Sequence, residues 1–280
     1  MASLLEQAVW NLGPEAVAAA LKGRPIPWEA RARETQLPPP GEWFTWLMMA
    51  GRGAGKSRAG AEYVRRMVES GQARQVALVA DTPADARDVM VGIPGSGTGL
   101  VNIASPGWRP VYEPSKRRLT WPNGAVALLF SSYEPDQLRG PQFDTSCCDE
   151  IGKWKYPTET WDNLMLALRL GRPRCVATTT PRPIELIRRL LKDPTCVVTR
   201  DTTFANRVNL APTFLSQVLS RYEGTRMGRQ EIYGELLEDV EGALWRRAWI
   251  VYKPAPDLVR VKVAIDPAVT SGKDSDETGI

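Results

Sequence analysis

Ala50-Gly51-Arg52-Gly53-Ala54-Gly55-Lys56-Ser57 is the stretch on which the fold turns. It follows an apolar run, Trp43 to Met49, that reads as a strand, and it opens a helical pattern from Ser57 to Ser70 closed by Gly71. Strand, glycine-rich turn and helix in that order build a phosphate cradle. Glycines let backbone N–H groups turn inward onto phosphate oxygens, and the helix start adds its positive dipole end. The segment matches the phosphate-loop pattern G-x-x-x-x-G-K-[ST] except that Ala50 stands at the first glycine position. On this reading Gly51, Gly53, Ala54 and Gly55 wrap the phosphates, Lys56 reaches the β and γ phosphates and Ser57 ligates Mg²⁺.

Outward from the loop, strands alternate with helices. Gln75 to Ala80 reads as a strand and Pro83 to Val91 as a helix; Arg117 to Trp121 and Ala125 to Phe130 form a hairpin around Pro122-Asn123-Gly124. Phe143 to Cys148 is a strand, Pro157 to Leu170 a helix, Arg174 to Thr179 a strand, Ile184 to Leu191 a helix and Cys196 to Arg200 a strand. The pattern is α/β, a mostly parallel sheet with helices on both faces. Helices at 211 to 222 and 226 to 237 follow without strands and suggest a small helical subdomain over 205–245. Residues 2 to 22 read as an amphipathic helix, and Gln36 to Gly41, with three consecutive prolines, as extended chain. A linker at 251–258 separates the first domain, 1–250, from a new strand, Val259 to Ile265, ending at Asp266.

Composition narrows the chemistry. The 280 residues include no His, which removes His-ligated metal hydrolysis and Ser-His-Asp or Cys-His nucleophiles and leaves proton transfer to carboxylates, Lys, Tyr or water. Cys147, Cys148, Cys175 and Cys196 lack C-x-x-C spacing and sit in apolar runs, as buried thiols of a reducing cytosol would. No apolar stretch approaches the roughly 20 residues needed to span a bilayer, and the N-terminus has no signal-peptide pattern. The net charge of +4 hides an asymmetry: residues 266 to 280 carry four acids against Lys273, so residues 1 to 265 carry plus seven. Basic pairs such as Arg65-Arg66 and Arg188-Arg189 suit either a solvated face or a polyanionic partner.

Asp149-Glu150 ends the strand at 143 to 148. An Asp there holds Mg²⁺ and an adjacent Glu polarises a water, a pairing that favours triphosphate hydrolysis over transfer to a second substrate. Arg139, on the loop before that strand, is either a surface arginine or one that stabilises charge on a γ phosphate. Thr178, Thr179 and Thr180 end the next strand with three hydroxyls, either ordinary strand-end threonines or ligands of the γ phosphate and the attacking water.

The order of these elements resembles the large terminase subunit of tailed phages and gene transfer agents. The likeness runs from Gln36-Leu37-Pro38-Pro39 through Gly51 to Ser57, Arg139-Gly140-Pro141-Gln142-Phe143, Asp149-Glu150 and Ala177 to Pro181, to Ala264-Ile265-Asp266-Pro267 and Asp276 to Ile280. The resemblance implies a P-loop NTPase of the ASCE type that hydrolyses ATP with Mg²⁺ and moves double-stranded DNA into a procapsid, followed by an RNase H-like nuclease. It implies Lys56 and Ser57 as Walker A, Asp149 as the metal acid, Glu150 as the catalytic base, Thr178 to Thr180 as the coupling motif and Gln36 as the adenine contact. Arg139 becomes a finger inserted by a neighbouring subunit of a homo-oligomeric ring, and Arg52 a further phosphate contact. Asp266 matches the first nuclease carboxylate, a metal ligand whose partners would lie beyond Ile280, so cutting is expected only where the nuclease is completed. The implied partners are duplex DNA, the portal protein and a small terminase subunit, with no membrane. The implied place is the bacterial host cytoplasm, transiently on the procapsid. A helicase-like remodelling ATPase and a non-catalytic fragment binding nucleotide or portal are the alternatives.

Overall fold

The computed structural model describes residues 27–92 and 97–237. The helix at 2 to 22, the linker at 251–258, the strand at 259 to 265 and Asp266 lie outside them. The strands β1 (Thr45–Ala50), β2 (Gln75–Ala80), β3 (Val111–Glu113), β4 (Arg118–Thr120), β5 (Val126–Ser131), β6 (Thr145–Cys148), β7 (Arg174–Thr179) and β8 (Cys196–Asp201) form one sheet. Their order is β3-β4-β5-β2-β6-β7-β1-β8. Every neighbouring pair from β5 to β8 is parallel, whereas β3 and β4 run antiparallel at one edge.

All six residues of β1 are buried, as a parallel strand covered on both faces requires. Side chains alternate across the sheet. Leu47 and Met49 face a core shared with Phe143, Trp161, Leu164, Leu186 and Ile187. Trp46 and Met48 face the other way and pack with Trp43, Ala59 and Tyr63. The first core brings in the helices α2 (Pro157–Ala167) and α3 (Glu185–Lys192), the second α1 (Lys56–Glu69). Two further helices, α4 (Pro212–Tyr222) and α5 (Arg226–Glu231), follow the sheet.

The register decides where the chemistry falls. Met49 pairs with Thr179 and Cys148 with Ala177, so the glycine loop, Asp149-Glu150 and Thr180 all leave the carboxyl ends of neighbouring strands at one edge. In an open parallel sheet that edge is where ligands bind. The acidic strand is not next to the loop strand: β7 lies between them.

Several elements differ from the sequence reading. Residues 83 to 91 do not form one α-helix. A turn at Pro83–Asp85, capped by Thr82, runs into a π-helix at Ala86–Gly92. The final helix stops at Glu231, because Gly234 takes a left-handed φ of 68° and lies against the Asp201 carbonyl and the Gly51 amide. Helix 157 to 170 ends at Ala167, whose carbonyl instead accepts the Phe143 N–H. That contact leaves Phe143 in an isolated bridge with Leu168 before β6 begins. Gln36 ends a 3-10 turn, Glu34–Gln36, and only the residues after it are extended. Cys147, Cys148 and Cys175 are buried free thiols; burial pushes Cys147 and Cys148 well above the ordinary thiol range and keeps them protonated.

Candidate nucleotide site

The carbonyls of the loop at 51 to 55 are held by hydrogen bonds from side chains around it. Arg33 donates to the Ala54 carbonyl (2.5 Å), Gln36 Nε2 to the same oxygen (3.3 Å), Asn206 to the Gly53 carbonyl (2.7 Å) and Thr203 to the Arg52 carbonyl (2.7 Å). Arg33 is fixed in turn by Asp201 (2.8 Å) and Asn206 (3.1 Å). Gly53 and Gly55 have φ of 75° and 87°, the left-handed region where glycine is free of a Cβ penalty. A Cβ at Gly55 would come within 2.7 Å of Gln36 Nε2. The N–H groups of the first helical turn have no intrahelical partners and are free to meet an anion.

Lys56 is 7% exposed and donates to the Ala50 and Gly51 carbonyls (3.0 and 3.1 Å) and to Thr180 Oγ1 (3.2 Å). Its ammonium also lies 3.3 Å from Glu150 Oε1. Ser57 and Thr178 both donate to Asp149 Oδ1, each at 2.8 Å. Thr178 Oγ1 also accepts the Glu150 N–H (3.0 Å), so one hydroxyl ties the two acids together. Thr180 N–H donates to Glu150 Oε2 (2.9 Å), and Thr179 accepts the Gly152 N–H (3.1 Å). Glu150 itself has a φ of 50°, one of two non-glycine residues in the left-handed region among those described. Such a backbone costs about 1–3 kcal/mol and persists where surrounding bonds over-determine it.

The two acids are driven apart. Burial, then the Glu150 charge, pushes the Asp149 carboxyl up despite the Thr178 and Ser57 bonds. Burial also acts upward on Glu150, but the Lys56 ammonium, the Thr180 N–H and Lys153 outweigh it and hold Glu150 below the ordinary glutamate range. The site thus favours the carboxylate form of Glu150 and leaves the carboxylate form of Asp149 short of neutralising charge. Mg²⁺ fits that deficit: it takes hard oxygen donors, one or two carboxylates with substrate phosphates, and keeps several waters. Ser57 and Asp149 would hold it. Among the described residues no group of three or more His, Cys, Asp or Glu forms a cage for a metal.

These groups open onto a cavity of about 650 Å³ whose walls include Gln36, Arg52, Gly53, Gly55, Lys56, Ser57, Glu150 and Thr180. The sheet edge thereby gathers most of the residues singled out in the sequence. Arg139 is not among the lining residues. Its side chain is 70% exposed, pairs with Asp136 (3.0 Å) and donates to Asn163 (3.3 Å). Arg52 lines the mouth, 69% exposed and 3.5 Å from Glu231. Sequence reasoning missed Arg33, Asp201, Thr203 and Asn206, whose roles depend on contacts across more than 140 positions or on which carbonyl each meets. Asp266 lies outside the described residues.

A family model described as terminase large subunit, T4likevirus-type, N-terminal, matches residues 47–252. No curated protein sequence matches. Among solved structures, the large terminase of a thermophilic bacteriophage in complex with ADP superposes with a TM-score of 0.56 at 17% identity, over 69% of this chain and 48% of that one. The ATPase domain of the large terminase of Thermus phage P74-26 gives 0.50 at 14% identity, over 79% and 97%. The HK97 bacteriophage large terminase gives 0.50 at 14%, over 69% and 46%. The chain therefore spans about half the length of the thermophilic-phage and HK97 proteins.

Proposed function

This chain belongs to the T4likevirus-type terminase large subunit family, and from that premise we propose that it is an ATP-hydrolysing motor subunit that moves duplex DNA into a procapsid. The observation that carries the reading is the convergence of Lys56, Ser57, Glu150 and Thr180 at one cavity, with Asp149 hydrogen-bonded behind Ser57. The N–H groups of the first turn of α1, which have no intrahelical partners, bind the phosphates. Lys56, now spread over Ala50, Gly51, Thr180 and Glu150, moves onto the β and γ phosphates of a bound triphosphate. Glu150, ionised and aimed by Thr180, accepts the proton of the attacking water. Ser57 and Asp149 would hold Mg²⁺, which would neutralise phosphate charge.

Arg139 supports a ring. An exposed arginine outside its own chain's cavity is free to enter a neighbour's, where it would stabilise transition-state charge. The portal, a small terminase subunit and the host cytoplasm complete the setting we propose. Residues 259–280 would begin a nuclease in which Asp266 is the first metal carboxylate.

The test is ATP turnover by the purified chain with and without duplex DNA, using Lys56→Ala as the blank. Stimulation by DNA that fades steeply as salt rises is expected of a motor gripping phosphates. Turnover indifferent to DNA would refute the motor reading, and turnover equal to the blank would refute the ATPase.

A further inference from the structure

One buried carboxylate lies outside the groups used so far. Glu62, in the middle of α1, is 2% exposed, and a charge so placed persists only if paired and hydrogen-bonded. Its Oε1 accepts from Arg58 Nε (2.9 Å) and Arg58 Nη2 (2.6 Å); its Oε2 accepts from Arg65 Nε (2.6 Å). Arg31 stands 3.8 Å away, and Glu69 pairs with Arg65 at 2.8 Å. Three arginines thus share two carboxylates, and the cluster keeps a surplus positive charge.

Arg58 is where that surplus meets the cavity. It lies directly after Ser57 on the first turn of α1 and lines the same cavity as Lys56, with its side chain 23% exposed. Its Nη1 donates to the Gly97 carbonyl (2.7 Å), and its guanidinium lies 5.6 Å from the Trp28 ring centre. A guanidinium has five N–H donors. Three are used, on Glu62 and Gly97, and two have no partner among the described residues. The fork is therefore fixed on one side and unspent on the other, the arrangement suited to a phosphate oxygen.

We infer that Arg58 is a nucleotide-phosphate contact outside the glycine loop and that buried Glu62 is the residue that positions it. The inference rests on the ATP-site reading above. Bound ATP or ADP receives charge-assisted hydrogen bonds from Arg58 that the loop cannot supply, and Glu62 acts only through Arg58.

The experiment is ADP binding by calorimetry and steady-state ATP turnover for the wild-type chain, Arg58→Ala, Arg58→Lys, Glu62→Gln and the double variant Arg58→Ala/Glu62→Gln. Loss of a charge-assisted bond predicts about tenfold weaker ADP binding in Arg58→Ala, with the loss in KM rather than kcat and partial recovery in Arg58→Lys. Glu62→Gln weakens binding less, and the double variant binds no more weakly than Arg58→Ala alone. That non-additivity is a signature a merely structural role for Glu62 would not produce. ADP affinity of Arg58→Ala equal to wild type overturns the inference and leaves the ATP-site reading standing. A wild-type chain that binds ADP no better than Lys56→Ala overturns both.

Discussion

Thr178→Val removes one oxygen atom and keeps the β-branched shape, so its cost isolates what that hydroxyl does. Thr178 is fully buried; it donates to Asp149 Oδ1 at 2.8 Å and accepts the Glu150 N–H at 3.0 Å. Valine orphans that N–H, worth about 1–3 kcal/mol, and removes a hydrogen bond to a charged group, worth about 1.5–3 kcal/mol. Ser57 still donates to the same carboxylate oxygen, so the two losses do not add fully. We expect a net loss of about 2–4 kcal/mol and, at about 2–4 °C per kcal/mol for a chain of this size, a Tm lower by roughly 5–15 °C. ATP turnover should fall at least about tenfold, because the left-handed backbone at Glu150 loses one of the bonds that fix it. Thermal unfolding and turnover are measured beside Thr120→Val, the same substitution at a buried hydroxyl with no hydrogen-bond partner among the described residues. That variant should be neutral or more stable by up to about 1 kcal/mol. Thr178→Val as stable as wild type, or Thr120→Val equally damaging, would refute the reasoning.

Asp149→Asn relieves a buried anion whose carboxyl is pushed up, so its ionised form costs stability above that raised value; without ligand the variant should melt at or above wild type. Saturating Mg²⁺ and ADP, which at 100 times Kd stabilise a binding-competent chain by about 2.7 kcal/mol, should raise the Tm of wild type and scarcely that of Asp149→Asn. Glu150 is held below the ordinary glutamate range, so the stability it gains by pairing is present above that range and is lost as pH falls through the depressed value. A rate–pH profile should accordingly show its acid limb below the ordinary value, moving upward in Lys153→Met, which removes one of the cations responsible. Gly152→Ala brings a Cβ to 2.6 Å from Thr179 Oγ1 and 3.1 Å from the Thr180 carbonyl; an overpacking cost of about 1–3 kcal/mol with lowered turnover is expected in the same two assays.

What was legible in the sequence is what short-range pattern encodes. The glycine loop, the bounds of β7, the Pro122-Asn123-Gly124 turn and Asp149-Glu150 each follow from neighbours a few positions apart, and the structure has them at the expected places. Sheet order is different: nothing local says that β7 separates β1 from β6, yet that order is what sets Thr178 between the two acids. Arg33 and Asp201 meet across 168 positions, so their grip on the loop was invisible, as was the Asn206 bond to Gly53. The π-helix at Ala86–Gly92 carries the same apolar spacing as an α-helix over so short a span. The strand Val111–Glu113 is three residues long and half exposed, too short for alternation to register. Arg139 was legible as an arginine on a loop before the acidic strand, but only the structure shows that its own cavity does not contain it.

The central claim is that Glu150 is the base of an ATP-hydrolysing site. Its most direct measurement is single-turnover hydrolysis of bound ATP by wild type and Glu150→Gln, with ATP affinity determined in parallel. Glutamine can still accept the Thr180 N–H but cannot take a proton from water. The account predicts that Glu150→Gln still binds ATP and that its hydrolysis rate drops by about 10²–10⁴. Hydrolysis by the variant at the wild-type rate would contradict it.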